Sequence, residues 1–226
     1  MDKLSKVIAL ANQKGGVGKT TTCVNLAASL ALQKKILVID MDPQGNATMA
    51  SGVDKFALKS SIYDLLVKNQ DINEILITGT ECNYDLLPAN SDLTAASVQL
   101  MEFFGRELRL KKALDKIKDN YDFVFIDCPP ALNLLTVNAL CAADSVLVPM
   151  QCEYFALEGL TDLIETIEQI KGSINPNLTI EGVLRTMYDS RARLAVSVST
   201  ELKKHFEDKV YRTPIPRNVR LAESPS

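Results

Sequence analysis

The chain has one histidine and five cysteines in 226 residues. Cys23, Cys82, Cys128, Cys141 and Cys152 are scattered, and none forms a Cys-x-x-Cys pair. A zinc site or a disulfide framework is therefore not expected. Isolated free cysteines usually pack as small apolar side chains, and they suit a reducing cytoplasmic compartment. Long apolar runs are missing too. No stretch of about 18 apolar residues occurs, so no transmembrane helix is expected. Met1 to Lys6 leads straight into an apolar run, so no signal peptide is expected. Repeats, low-complexity segments and linkers are absent, and residues 1–226 read as a single domain.

The strongest signal lies near the N-terminus. Val7 to Ala11 is a short apolar run, and Thr20 to Leu32 has a helical pattern. Between them stands Gln13-Lys14-Gly15-Gly16-Val17-Gly18-Lys19-Thr20. Strand, glycine loop and helix form the context of a phosphate-binding P-loop. Gln13 takes the place of that motif's first glycine. Gly15, Gly16 and Gly18 permit backbone angles that let consecutive N–H groups turn inward around a phosphate. The helix N-terminus adds positive potential. Lys19 supplies a full charge at the outer phosphates, and the Thr20 hydroxyl is placed to bind Mg²⁺.

Two later strands end in carboxylates. Ile36 to Asp40 is apolar until it meets Asp40-Met41-Asp42-Pro43-Gln44-Gly45. Carboxylates at the end of a parallel strand face the ligand side of the sheet. Asp42 orients an attacking water, reaches Mg²⁺ through water, or only caps the turn that Pro43 and Gly45 mark. The second strand, Asp122 to Ile126, ends in Asp127 before Cys128-Pro129-Pro130. In P-loop proteins an aspartate at this place holds Mg²⁺.

The remaining pattern predicts helices over 61–66, 72–77, 91–103 and 106–118 and a strand over 84–89. Beyond Pro130 it predicts helices over 131–142, 160–172 and 195–206, and strands over 145–150, 178–187 and 210–213. This rhythm specifies an α/β fold, a doubly wound and mostly parallel sheet flanked by helices. Charge is uneven along it. Residues 1–184 carry 16 Lys+Arg against 23 Asp+Glu, whereas 185–220 carry nine against four. The basic end marks either an anionic partner such as nucleic acid or lipid, or a helix with solvated lysines.

Lys14-Gly15-Gly16-Val17-Gly18-Lys19-Thr20-Thr21 resembles the deviant Walker A box of the ParA/MinD superfamily, whose mark is the extra lysine, here Lys14. Asp40 to Thr48 resembles the Walker A′ motif, and Ile126 to Pro130 the Walker B motif. Gln151 to Leu160 and Ile215 to Ser226 are similar to the chromosomal ParA/Soj branch. The resemblance covers nearly the whole chain in order. It implies a weak ATPase that segregates chromosomes or plasmids, with ATP and Mg²⁺ driving a nucleotide-sandwich homodimer.

In that reading Gly15, Gly16, Val17, Gly18, Lys19, Thr20 and Thr21 bind the nucleotide in cis, and Lys14 touches the other subunit's phosphates. Thr20, Asp127 and Asp42 serve the metal, and Asp42 also positions the hydrolytic water. Asp40 supports them. Glu153 approaches the nucleotide across the dimer, and Pro216, Arg217 and Asn218 line the adenine. Arg191 and Arg220 belong to a non-specific DNA surface, which Arg193, Lys203 and Lys204 extend by proximity in sequence. A ParB-type centromere-binding partner is implied, and the nucleoid when ATP is bound. Family members usually continue past Ser226 through a final helix, so the family's C-terminal segment is expected to be missing here. The alternatives are a MinD-like membrane-associated positioning ATPase and an ATP-dependent metabolic ligase on the same fold.

Overall fold

Alternating apolar residues on each strand feed two cores, and this is what builds the sheet. The computed structural model describes residues 5–154, 156–219 and 221. In chain order the first half comprises β1 (Lys6–Leu10), α1 (Lys19–Ala31), β2 (Ile36–Asp40), α2 (Asn46–Ala50), α3 (Ile62–Lys68), α4 (Ile72–Ile75), β3 (Asp85–Leu87) and α5 (Leu93–Gln99). The second half comprises α6 (Arg109–Leu114), β4 (Phe123–Asp127), α7 (Leu134–Ala142), β5 (Ser145–Gln151), α8 (Ala156–Ser173), β6 (Thr179–Thr186) and α9 (Arg193–Phe206). The six strands pair in the order β3-β2-β4-β1-β5-β6, and every pair is parallel.

Side chains of successive strand residues point to opposite faces. Ile8, Leu10, Ile36, Val38, Phe125 and Leu147 pack with Cys23 and Ala27 of α1 on one face. Val7, Ala9, Leu37, Ile39, Val124, Ile126, Val146 and Val148 face the other, larger core with α3 and α5 to α9. Both faces are covered, which is why these strands are apolar throughout rather than alternating. The five cysteines are free thiols, four of them buried and Cys82 partly so. Among the described residues no helix is long and apolar enough to cross a membrane.

Several elements are shorter than the sequence pattern predicts, each for a local reason. The helix expected from 131 starts at Leu134, because the Asn133 side chain accepts the Leu135 and Thr136 N–H groups. The helix expected over 72–77 stops at Ile75, since Ile77 turns extended to bridge Leu86. The stretch 106–118 splits into a 3₁₀ turn behind left-handed Gly105 and the short α6. No strand forms over 210–213; only Val210 bridges Val183. The carbonyls of Tyr211 and Arg212 accept instead from the Arg185 guanidinium, at 2.8 and 3.0 Å. Arg185 is itself only 3% exposed. One of the nine cations in the basic segment is thus an internal brace, not surface charge.

Candidate nucleotide site

All strands run the same way, so the segments after β1, β2, β4 and β5 emerge on one edge of the sheet. Register sharpens this: Asp127 pairs with Leu10 on β1 and with Asp40 on β2. Residues far apart in sequence become neighbours at the mouth of the P-loop.

The loop is formed as its glycines require. Gly16 and Gly18 have φ of 72° and 87°, a region L side chains avoid. Gly18 is the N-cap of α1, with no side-chain cap and no acidic residue in the first turn. The first N–H groups of this thirteen-residue helix are left for an anion. Val17 is buried, and its carbonyl accepts from the Thr186 hydroxyl at 2.7 Å. Asn12 fixes the other end, donating to the Pro149 carbonyl at 2.8 Å and accepting from the Lys14 amide at 2.9 Å.

The two lysines lie at different depths. Lys19 is 6% exposed and its ammonium donates to the Lys14 carbonyl at 3.1 Å. Burial pulls its pKa down, and the Asp127 charge works against that shift. The Lys14 side chain is half-exposed and ion-paired with Glu153, which follows β5.

Thr20 donates its hydroxyl proton to Asp127 Oδ2 at 2.6 Å. Asp127 Oδ1 is buried with no hydrogen-bond partner among the described residues. Burial pushes the Asp127 carboxyl well up, and the Asp40 charge adds to it. Asp40 is fully buried and lifted to about 6 by that burial, against hydrogen bonds from the Thr48 hydroxyl and amide and the Asp42 amide. Asp42 Oδ1 accepts from the Gln44 amide at 2.9 Å, so the turn role is real, but it occupies only one oxygen. Oδ2 makes no hydrogen bond among the described residues. Two carboxylate oxygens without a hydrogen bond among the described residues, Asp127 Oδ1 and Asp42 Oδ2, close to the buried Lys19, suit a divalent cation. No group of three His, Cys, Asp or Glu arranged to hold a metal occurs among the described residues. Mg²⁺ does not need one, since it is usually held by one or two protein oxygens together with phosphates and water.

The last described segment packs beside the start of α1. Tyr188 accepts Pro216 as a bridge partner, and the Tyr188 amide donates to the Ile215 carbonyl at 3.0 Å. This places Pro216, Arg217 and Asn218 against Gly18, Thr21 and Thr22 around a cavity of about 150 Å³. Arg191 lies elsewhere, in the loop after β6; it is 89% exposed and forks onto Asp189 at 3.0 Å through two nitrogens. Those hydrogen bonds hold the Asp189 carboxyl down at about 2. Arg220 lies outside the described residues.

Sequence patterns assign no role to Asn12, Thr48 or Thr186, although Thr48 ends the Walker A′ stretch. Thr48 has the largest structural role, because its hydroxyl donates to Asp40 at 2.8 Å and accepts from the Ala89 amide at 2.9 Å. Thr48→Val removes both bonds at a site with no exposure. A loss of about 3 kcal/mol in unfolding free energy is expected, measured by urea denaturation; a change within error would mean that the carboxylate is supported otherwise.

Sheet order, glycine loop, Lys19 and the Thr20–Asp127 pair define a P-loop nucleotide-binding protein. A family profile described as an AAA domain matches residues 5–180. The chain is 52% identical to the sporulation initiation inhibitor protein Soj of Bacillus subtilis, over 99% of this chain and 88% of that one. It is 50% identical to the chromosome partitioning protein ParA of Myxococcus xanthus, over 99% of this chain and 79% of that one. Among solved structures, a cobyrinic acid a,c-diamide synthase from Mycobacterium smegmatis with bound ADP and magnesium superposes with a TM-score of 0.90 at 40% identity. That likeness covers 98% of this chain and 91% of the other. The chain belongs to the ParA/Soj family.

Proposed function

We propose that this protein is an ATP-dependent chromosome or plasmid partition ATPase, a single domain whose ATP-bound homodimer holds DNA without sequence preference. The observation that carries this reading is the pair of lysines at two depths. Lys19, at the floor of the loop, suits the β- and γ-phosphates of the subunit's own ATP. Lys14, at the rim and paired with Glu153, suits the phosphates of a second subunit's ATP. A cation supplied in trans stabilises transition-state charge and makes hydrolysis depend on dimerisation, as an arginine finger does. On dimerisation Lys14 exchanges Glu153 for phosphate, and Glu153 remains near the nucleotide at the interface.

Gly15, Gly16, Val17, Gly18, Thr20 and Thr21 cradle the phosphates through their backbone N–H groups, and Pro216, Arg217 and Asn218 border the adenine. Thr20 and Asp127 would hold Mg²⁺ with Asp42 beside them, and the ion would neutralise phosphate charge. Asp42 Oδ2 orients the attacking water. Hydrolysis is slow alone and is stimulated by a ParB-type partner, which resets DNA binding. The protein works in the cytoplasm, on the nucleoid when ATP-bound.

Arg191 and Arg220 contribute phosphate contacts on the DNA face. Retention on random-sequence duplex DNA is expected with ATP and Mg²⁺ and not with ADP. Arg191→Ala should weaken that binding equally for all sequences and lower the salt slope by about 1. Retention independent of nucleotide would sink the switch, and an unchanged salt slope would remove Arg191 from the surface. The likeness to the synthase supports a second reading, an ATP-dependent ligase. Relatives at 52% and 50% identity, above the synthase's 40%, carry sporulation and partition names, and this favours the first.

A further inference from the structure

A second cavity, of about 370 Å³, opens between α3 and α6 and shares no residue with the nucleotide site. Arg109, Lys112 and Lys116 border it with Asn69, Asp71 and Phe104. The three cations recur at spacings of three and four, so they share a side of α6 and the turn after it. Neighbouring cations are neutralised locally: Arg106 by Glu107, Lys111 and Lys118 by Asp115, and Lys116 by Asp71 at 3.3 Å. Arg109 and Lys112 have no carboxylate partner among the described residues.

Arg109 is nonetheless held in place. Its guanidinium carbon lies 4.6 Å from the Phe103 ring centroid, and its Nε is buried without a hydrogen-bond partner among the described residues. A cation fixed by stacking rather than by an anion is pre-organised to receive one. Lys112 leans toward the same loop, since a β-carbon on Gly105 would lie 3.6 Å from its Nζ. Beside these charges Phe104 is fully exposed and Met101 is 61% exposed. A second hollow, bordered by Met101 and Phe104, adjoins the first through Phe104.

We propose that this groove docks an acidic peptide segment of a protein partner. Carboxylates sit on Arg109 and Lys112, and an aromatic or aliphatic side chain covers Phe104 and Met101. Arginine clusters read acidic motifs through charge-assisted hydrogen bonds, and exposed apolar side chains mark the anchor position of protein contacts. Free phosphate would satisfy the cations but leave both apolar side chains in water. Duplex DNA would supply charge and no apolar anchor.

The test is fluorescence anisotropy with a short labelled peptide alternating glutamate with phenylalanine and leucine, on the full chain in ATP and Mg²⁺. Saturable binding is expected, and poly-glutamate of equal charge should bind about tenfold more weakly. Lys112→Gln and Phe104→Ser, both at exposed positions, should each weaken the peptide by about tenfold and leave ATP and DNA binding unchanged. Arg109→Gln should do the same, and the two exposed variants keep the test valid if it unfolds. The proposal is overturned if the peptide does not saturate or if Phe104→Ser has no effect. It is also overturned if millimolar phosphate displaces the peptide fully, which would mark a small-anion site. Loss of DNA binding in Lys112→Gln would instead assign the face to nucleic acid.

Discussion

Asp42→Ala is expected to bind ATP and Mg²⁺, to dimerise, and to hydrolyse ATP about 10²- to 10⁴-fold more slowly than the parent chain, the range for losing a group that positions or activates a nucleophile. The charge removed stands beside Asp127 and Asp40 and near Lys19. Its loss relieves like-charge crowding, so ATP affinity should hold or rise. The structural cost is one turn hydrogen bond, from the Gln44 amide to Asp42 Oδ1, worth about 1 kcal/mol. A folded variant that accumulates as an ATP-bound dimer would separate the chemical role from the turn role. Hydrolysis at the parent rate would leave Asp42 as a turn residue only.

Lys14→Ala should have an effect of similar size by a different route. ATP binding to the monomer should change little, because Lys19 and the loop amides stay in place. Dimerisation with ATP should be lost, and turnover should fall by about 10³-fold, the lower end of what a cation supplied in trans contributes. Stability should be nearly unaffected, since the pair with Glu153 is half-exposed and such surface pairs contribute little. Equilibrium ATP binding, sedimentation and phosphate release would be measured on one preparation. If ATP affinity fell as far as it does in Lys19→Ala, Lys14 would be a ligand of its own subunit's nucleotide and the dimer account would fail.

How far the sequence reveals this site follows from the range of the interactions. The P-loop is legible because Gly16, Gly18, Lys19 and Thr20 are contiguous and each is chosen by local geometry. Asp127 is legible as a strand-ending carboxylate, and its adjacency to Asp40 follows once the strands are known to be parallel. Asn12, Thr48 and Thr186 were not legible. Their partners lie 137, 41 and 169 residues away, and no periodicity encodes such a contact. Arg185 reads as surface charge in composition, yet it braces two carbonyls inside the fold. The breaks in 106–118 and 131–142 were hidden for a related reason. Apolar spacing continues through them, while Gly105 and Asn133 set the hydrogen bonds that decide where the helices begin.

The measurement that tests the central claim most directly mixes two inactive variants. Lys14→Ala keeps Asp42 but offers no rim lysine, and Asp42→Ala offers the lysine but cannot direct water. In a mixed dimer the Lys14→Ala subunit receives Lys14 from its partner and regains a complete site. Phosphate release from the mixture, with ATP and Mg²⁺, is expected to rise well above the sum of the two variants alone. A mixture no more active than that sum, with mixed dimers shown to form, would mean that Lys14 does not act across the interface.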